Sequence, residues 1–395
     1  MRRRADVVFC GHDATRTGAP LVLLYFLRWL REHTDLTFEV VLVDGGPLVD
    51  DFRALAPTRV LAELRDHAVS RALGRAGLSR LAATARSVQA RVLLRRLRKV
   101  RTVYCNSISS VQVLRMLGRA PGRVVISHIH EMEGAFRTLG PVLRDFLLAE
   151  TDHFIAVSDL VRTMLTDTFG VDPARVSRHY EFIDVAGFLA SRPEHERVED
   201  LRKECGIPED AWVIGAVGVT QWRKGPDLFL LLAQILARRP AEREVHLVWV
   251  GADPNEAETM WLRHDIELGG LADRVHLRGV DDRPARWFAL FDVFVLTSRE
   301  DPFPLVCLES SLAGTPIVCF DNTGMVEFAD DGRCGVVVSY LDIEAMADEV
   351  LALLADPERR RAIADRAAAK VRADHDIPSS AAALHAELEA HRARG

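Results

Sequence analysis

The sequence predicts an α/β protein built on two doubly wound parallel sheets, and three observations carry that prediction. Short apolar runs alternate with longer segments of helical periodicity, the pattern of βα units rather than of hairpins. The alternation runs once through residues 7–157 and again, more clearly, through 212–354. At 395 residues, the chain has room for two or three domains of ordinary size.

Val7–Cys10 reads as a short buried strand, followed by a loop over Gly11–Gly18 and an apolar helix, Pro20–Leu30, with proline near its first turn. Phe38–Val43 is a second strand, closed by Asp44, Gly45 and Gly46. Val103–Cys105, Val124–Ser127 and Phe154–Val157 continue the list, each with a helix after it. The second half places strands at Trp212–Val217, Val245–Val250, Val275–Leu277, Val293–Leu296, Pro316–Phe320 and Val336–Val338. Helices at Pro226–Arg238, Glu256–Leu268, Arg283–Leu290, Leu305–Ala313 and Ile343–Leu354 fill the gaps. Asp184–Pro208 carries Pro193 and mixed charges without apolar periodicity, which marks a connection. The predicted organisation is an N-terminal domain over 1–184, a linker over 185–207 and a C-terminal domain over 208–377. A last helix, 378–395, is free to pack back on the N-terminal domain.

Composition excludes several classes. The 51 Lys and Arg against 57 Asp and Glu give a net charge of −6, so the chain is not a polycation made to coat nucleic acid. The balance is uneven, because His67–His130 holds thirteen basic residues and no acidic one. The six cysteines stand singly, without the close spacing of a zinc site, and read as reduced. Met1–Arg4 is followed by too short an apolar run for a signal peptide, and no run approaches the length of a spanning helix. These features predict a cytoplasmic protein.

In open parallel sheets, ligands collect at the carboxyl ends of the strands, where helix N-termini receive anions. Three loops fall at such junctions. Gly11–Pro20 leads into a helix, and Gly18 permits close backbone approach, though an ordinary βα turn would look the same. Gly218–Asp227 sets Arg223 and Lys224 beside Gly225 and Pro226, a cationic turn suited to a diphosphate. Thr297–Ser310 places Asp301 before a helix and Glu309 in its second turn, two carboxylates able to accept sugar hydroxyls.

The last stretch resembles the ExFGxxxxE signature of family 4 glycosyltransferases, which have the two-domain GT-B fold. Asp301 stands at the first acid, Phe303 at the Phe, Pro304 at the Gly and Glu309 at the final Glu, with Glu300 adjacent. The similarity extends along the chain. Gly18-Ala19 resembles the family's small-residue loop near the donor phosphate, His130-Glu131 its His-Asp pair, and Val157-Ser158 its V-S. Gly218, Lys224 and Gly225 match the Gly-Arg-x4-Lys-Gly motif; Val219 replaces the Arg, and Arg223 is the cation available to stand in. Thr323-Gly324 and Glu327 resemble the Gly-Gly-x-x-Glu loop.

The resemblance implies two Rossmann-like domains facing each other across a cleft, with a UDP- or GDP-sugar held mainly by the C-terminal half and an acceptor by the N-terminal half. It implies transfer with retention, the leaving diphosphate helping to take the acceptor proton. His130, Arg223, Lys224 and Asp301 are the catalytic candidates, with the two cations on the diphosphate as oxyanion-type stabilisation requires. Donor contacts fall to Gly18, Ala19, Gly218, Val280, Phe303, Pro304, Leu305 and Glu309 besides those groups, with Glu309 on the ribose and Asp301 on the sugar. His12, Arg16 and Glu131 are placed on the acceptor side. No metal and no cofactor beyond the nucleotide sugar are expected.

Two other classes compete. The same fold with a weakened site would be a nucleotide-sugar-binding module, with Val219, Asp301 and Pro304 as its marks. A nicotinamide dehydrogenase would show G-x-G-x-x-G after a first strand, which neither loop does. The basic stretch Arg86–Arg101 has Val88, Val92, Leu93 and Leu97 at helical spacing; it packs on its own domain or touches an anionic membrane.

Overall fold

Val7, Val8, Phe9 and Cys10 are all fully buried, which a strand achieves only when helices cover both faces of its sheet. The computed structural model describes residues 5–66, 75, 79–118, 120–191, 198–281 and 284–393. The chain divides into two units, residues 1–180 with 377–395, and residues 181–376.

In the first unit the elements run β1 (Val7–Gly11), α1 (Gly18–His33), β2 (Phe38–Leu42), α2 (Val49–Leu55), β3 (Thr58–Val60), α3 (Ser79–Leu93) and β4 (Thr102–Asn106). There follow α4 (Val111–Leu117), β5 (Val124–Ile129), α5 (Glu133–Leu139), α6 (Pro141–Glu150), β6 (His153–Ala156), α7 (Asp159–Thr163) and β7 (Val176–Arg178). The sheet order is β3-β2-β1-β4-β5-β6-β7, parallel throughout. β3 and β7, absent from the sequence reading, are three-residue strands carrying Arg59 and Arg178, too short and polar to show as apolar runs.

The second unit contains α8 (Val185–Ser191), α9 (Val198–Cys205), β8 (Trp212–Val217), α10 (Pro226–Arg238), β9 (Val245–Val250), α11 (Ala257–Leu268), β10 (Val275–Arg278) and α12 (Ala285–Phe288). β11 (Val293–Leu296), α13 (Leu305–Ala313), β12 (Ile317–Phe320), α14 (Met325–Ala329), β13 (Val336–Val338), α15 (Ile343–Ala355) and α16 (Pro357–Asp374) complete it. Its sheet order is β10-β9-β8-β11-β12-β13. Asp342 and Asp356 cap α15 and α16 by accepting from the amides of Ala345 and Arg359, so each helix starts where its sequence offers an Asx donor-acceptor match. The last helix, α17 (Ile377–Arg392), belongs to the first unit and packs on α1, with the Trp29 and His385 rings 5.6 Å apart.

The expected linker over 185–207 is corrected. Val185 and Phe188 of α8 and Leu201 and Cys205 of α9 are buried within the second unit, and residues 192–197 lie outside the described residues. The chain passes between units instead at Tyr180–Glu181 and Asp376–Ile377. These two passages are tied side by side: the Ile183 amide donates to the His375 carbonyl at 3.0 Å, and His375 Nδ1 lies 2.9 Å from the Glu181 carbonyl. Of the predicted helix Arg283–Leu290 the structure shows Ala285–Phe288, Arg283 lying outside the described residues. Among the described residues, no helix is long and apolar enough to cross a membrane.

Candidate functional site

Each sheet reverses its winding once, between β1 and β4 in the first unit and between β8 and β11 in the second. At such a point the loops leave toward opposite faces and open a crevice at the carboxyl ends.

In the second unit the crevice is bounded by the loops after β8 and β11, and the sequence candidates converge there. Lys224 Nζ donates to Asp301 Oδ2 at 2.6 Å, and Arg223 stands 3.8 Å from the same oxygen. Ser298 Oγ donates to it as well, at 3.0 Å. Burial alone would raise the Asp301 carboxyl, but the Lys224 and Arg223 charges and these hydrogen bonds outweigh it and hold the group below the usual carboxylate range. Arg223 also donates to the Glu300 carbonyl at 3.0 Å. Asp301 thus pairs with the two cations rather than facing outward as a lone acceptor of sugar hydroxyls.

Gly225 makes this approach possible. Its φ of +67° is left-handed, and a Cβ there would lie 2.1 Å from the Thr297 carbonyl. Thr297 Oγ1 donates to the Gly225 carbonyl at 2.9 Å, so the two loops touch through backbone. A second stitch escaped the sequence reading. Arg299 grips Asp227 through both guanidinium nitrogens, at 2.8 and 2.6 Å, and its amide donates to the Arg223 carbonyl at 2.8 Å. The only sequence signal was an acid in the first turn of α10 opposite an Arg after β11.

Glu309 is half-buried in α13 and makes no hydrogen bond or ion pair among the described residues. Desolvation pushes its carboxyl up to about 7. Pro304 is the N-cap of α13 and supplies no side-chain cap, so first-turn amides of α13 stay available, whereas in α10 Pro226 has no amide hydrogen and the Asp227 carboxylate accepts from the Asp227 and Leu228 amides. Gly324 donates its amide to the Asp301 carbonyl at 3.1 Å, bringing the β12 loop to the same place. Phe303 and Leu305 are buried side chains, Phe303 stacked on His375 at 5.4 Å, so these two support the loop from behind and leave contact to backbone. Gly218 follows β8 beside the Lys224 stem, whereas Val280 is exposed past the edge strand β10.

In the first unit, the Asn106 amide donates to the Ala19 carbonyl at 2.9 Å, which turns its Oδ1 toward His130 Nε2 at 3.1 Å. That orientation requires the proton on Nε2. Asn106, at the end of β4, was not a sequence candidate. His128 lies against His130 with ring centroids 4.0 Å apart and contacts the Tyr104 hydroxyl; burial first, then the His130 and His179 charges, push its pKa well down. Glu131 accepts from Ser107 Oγ at 2.5 Å and from the His130 and Ile108 amides, so its carboxylate braces the β4 and β5 loops instead of facing an acceptor. His12 is half-buried, with Nδ1 lacking a partner and Nε2 3.5 Å from Asp13; Arg16 is exposed, and Gly18 opens α1.

In the basic stretch the helix ends at Leu93, and Leu94 and Leu97 are buried while Val88 and Val92 are exposed, so the expected single apolar stripe is split. Spacing offered no metal ligands, yet the fold brings together His153, Glu387 and His391 from distant parts of the sequence.

Fold and crevices define a two-domain GT-B architecture. Anabaena HepE, solved with UDP and glucose, superposes with a TM-score of 0.77 at 17% identity, over 98% of this chain and 100% of that one. Sucrose-phosphate synthase from Thermosynechococcus elongatus does so with a TM-score of 0.72 at 18% identity, covering 100% of both. Residues 197–370 match the glycosyl transferases group 1. That match covers most of the second unit. A D-inositol 3-phosphate glycosyltransferase 2 of Catenulispora acidiphila is 34% identical over 221 residues, 54% of this chain and 51% of its own. A D-inositol 3-phosphate glycosyltransferase of Salinispora arenicola is 31% identical over 229 residues, 56% of this chain and 51% of its own. The chain spans about half the length of these curated relatives.

Proposed function

We propose that this protein transfers a sugar from a uridine or guanosine diphosphate donor to a small-molecule, lipid-linked or saccharide acceptor, with retention at the anomeric carbon. The observation that carries the reading is the pairing of Lys224 and Arg223 with Asp301 beside the N-terminus of α13, which lacks a side-chain cap. An anion there meets two cations and the first-turn amides of α13, and the diphosphate replaces Asp301 as partner of the cations. The same cations then stabilise the charge that grows on the leaving diphosphate. Glu309, desolvated and unpartnered, regains hydrogen bonds from the ribose hydroxyls, whose two donors suit one carboxylate. HepE with UDP-glucose supports the uridine choice.

In the first unit, His130 is the catalytic candidate, its ring fixed by Asn106. The six cysteines are free and buried, which suits the reducing compartment of a cytoplasmic enzyme. The test is a thermal-shift screen against uridine, guanosine, adenosine and thymidine diphosphates, followed by donor turnover. The expected result is a shift with uridine or guanosine diphosphate that Lys224→Ala removes together with turnover. A shift without turnover for any donor and acceptor would favour the binding module, for which Val219 and Pro304 speak. Unchanged kinetics in Lys224→Ala and Glu309→Ala would reject the site.

A further inference from the structure

The closing helix α17 carries Glu387 and His391 four residues apart, so the two side chains rise from consecutive turns of one face. They meet His153, the first residue of β6. His153 Nε2 lies 2.7 Å from Glu387 Oε1, and His391 Nε2 lies 3.2 Å from the same oxygen. All three donor atoms fall within 4.8 Å of one another. His179, just past β7, brings Nε2 to 3.6 Å from Glu387 Oε2, and Ser177 Oγ stands 2.9 Å from His153 Nε2. The His153 and His391 side chains are 6% and 14% exposed, so the group is largely removed from water.

The proposed transfer uses none of these residues. Two imidazoles and one carboxylate are a ligand set that zinc accepts, and imidazole nitrogen also suits other late divalent metals. The His153 and His391 rings stack with centroids 3.8 Å apart and planes 22° from parallel. Both rings present Nε2 to Glu387 Oε1. A divalent ion would bind the two ring nitrogens and the carboxylate oxygen together, in place of the protons between them.

We infer that His153, Glu387 and His391 bind one divalent ion of the zinc class, flanked by His179 and Ser177, and that the ion clamps α17 onto β6. The site joins the last helix of the first unit to its sheet, so occupancy stabilises that unit without touching the donor residues.

The test uses the full chain without a histidine tag, stripped with EDTA and titrated with cobalt(II) chloride, then with zinc chloride. The expected result is one equivalent of cobalt with ligand-field bands and no thiolate charge-transfer band, displacement by zinc, and a zinc-dependent rise in Tm. His391→Ala should weaken binding about tenfold or more while leaving uridine diphosphate binding intact. Should that variant fail to fold by circular dichroism, Glu387→Gln carries the same comparison. No saturable cobalt signal in the wild-type chain, or undiminished binding in a folded His391→Ala or Glu387→Gln variant, would overturn the assignment.

Discussion

Replacing Glu309 by Gln should make the protein more stable and less able to bind its donor. The carboxyl sits at about 7, against an ordinary value of 4.5, because burial removes water and no partner replaces it. At about 1.36 kcal/mol per tenfold change in proton affinity, that displacement corresponds to roughly 3 kcal/mol above pH 7; the residual exposure of the side chain screens it to about 2 kcal/mol. The sign follows from the raised value. Between about 4.5 and 7 the folded protein holds the proton more tightly than the unfolded chain, so stability falls as pH rises through that window and stays low above it. Gln keeps the shape and never ionises. For a unit of 150–250 residues, ~2 kcal/mol corresponds to about 4–8 °C in Tm. Scanning calorimetry should therefore show Glu309→Gln above wild type at pH 8 and level with it at pH 4. In the same variant, the Tm rise caused by uridine diphosphate should shrink sharply. Equal Tm differences at both pH values would refute the desolvation argument, and a preserved nucleotide effect would refute the ribose contact.

Lys224→Ala leaves the buried Asp301 without its nearest counter-charge, so a loss of about 3–5 kcal/mol and a fall in turnover of about 10²–10³-fold are expected, read by denaturant titration and by diphosphate release. Adding Asp301→Asn should recover part of the stability and none of the turnover. Gly225→Ala forces a Cβ against the Thr297 carbonyl and should cost at least about 1–3 kcal/mol with loss of the nucleotide-induced Tm shift, since the β8 and β11 loops must part. Asn106→Ala should lower kcat, because it frees the His130 ring; an unchanged kcat would contradict this role.

Strands with four or more apolar residues were legible because burial on both faces leaves no polar alternation, as in Val7–Cys10 and Val245–Val250. β3 and β7 were not, since a three-residue edge strand is specified by its neighbours' hydrogen bonds rather than by its own side chains. The misplaced linker has a similar cause. Pro193 and the charges around it mimic a connector, while the burial of Phe188 and Leu201 depends on contacts that only the folded unit supplies. Within the site, Lys224, Gly225, Asp301 and Glu309 stood out because loop chemistry is local. Arg299 with Asp227, Asn106 with His130, and His153 with Glu387 and His391 are pairings across long sequence separations, which spacing does not reveal.

The first unit is discontinuous, and this bears on how the molecule comes into being. A ribosome delivers Ile377–Gly395 only after all of residues 181–376, so the surface of α1 that α17 covers stays bare throughout synthesis of the second unit. The amino-terminal half, though made first, reaches its finished form last.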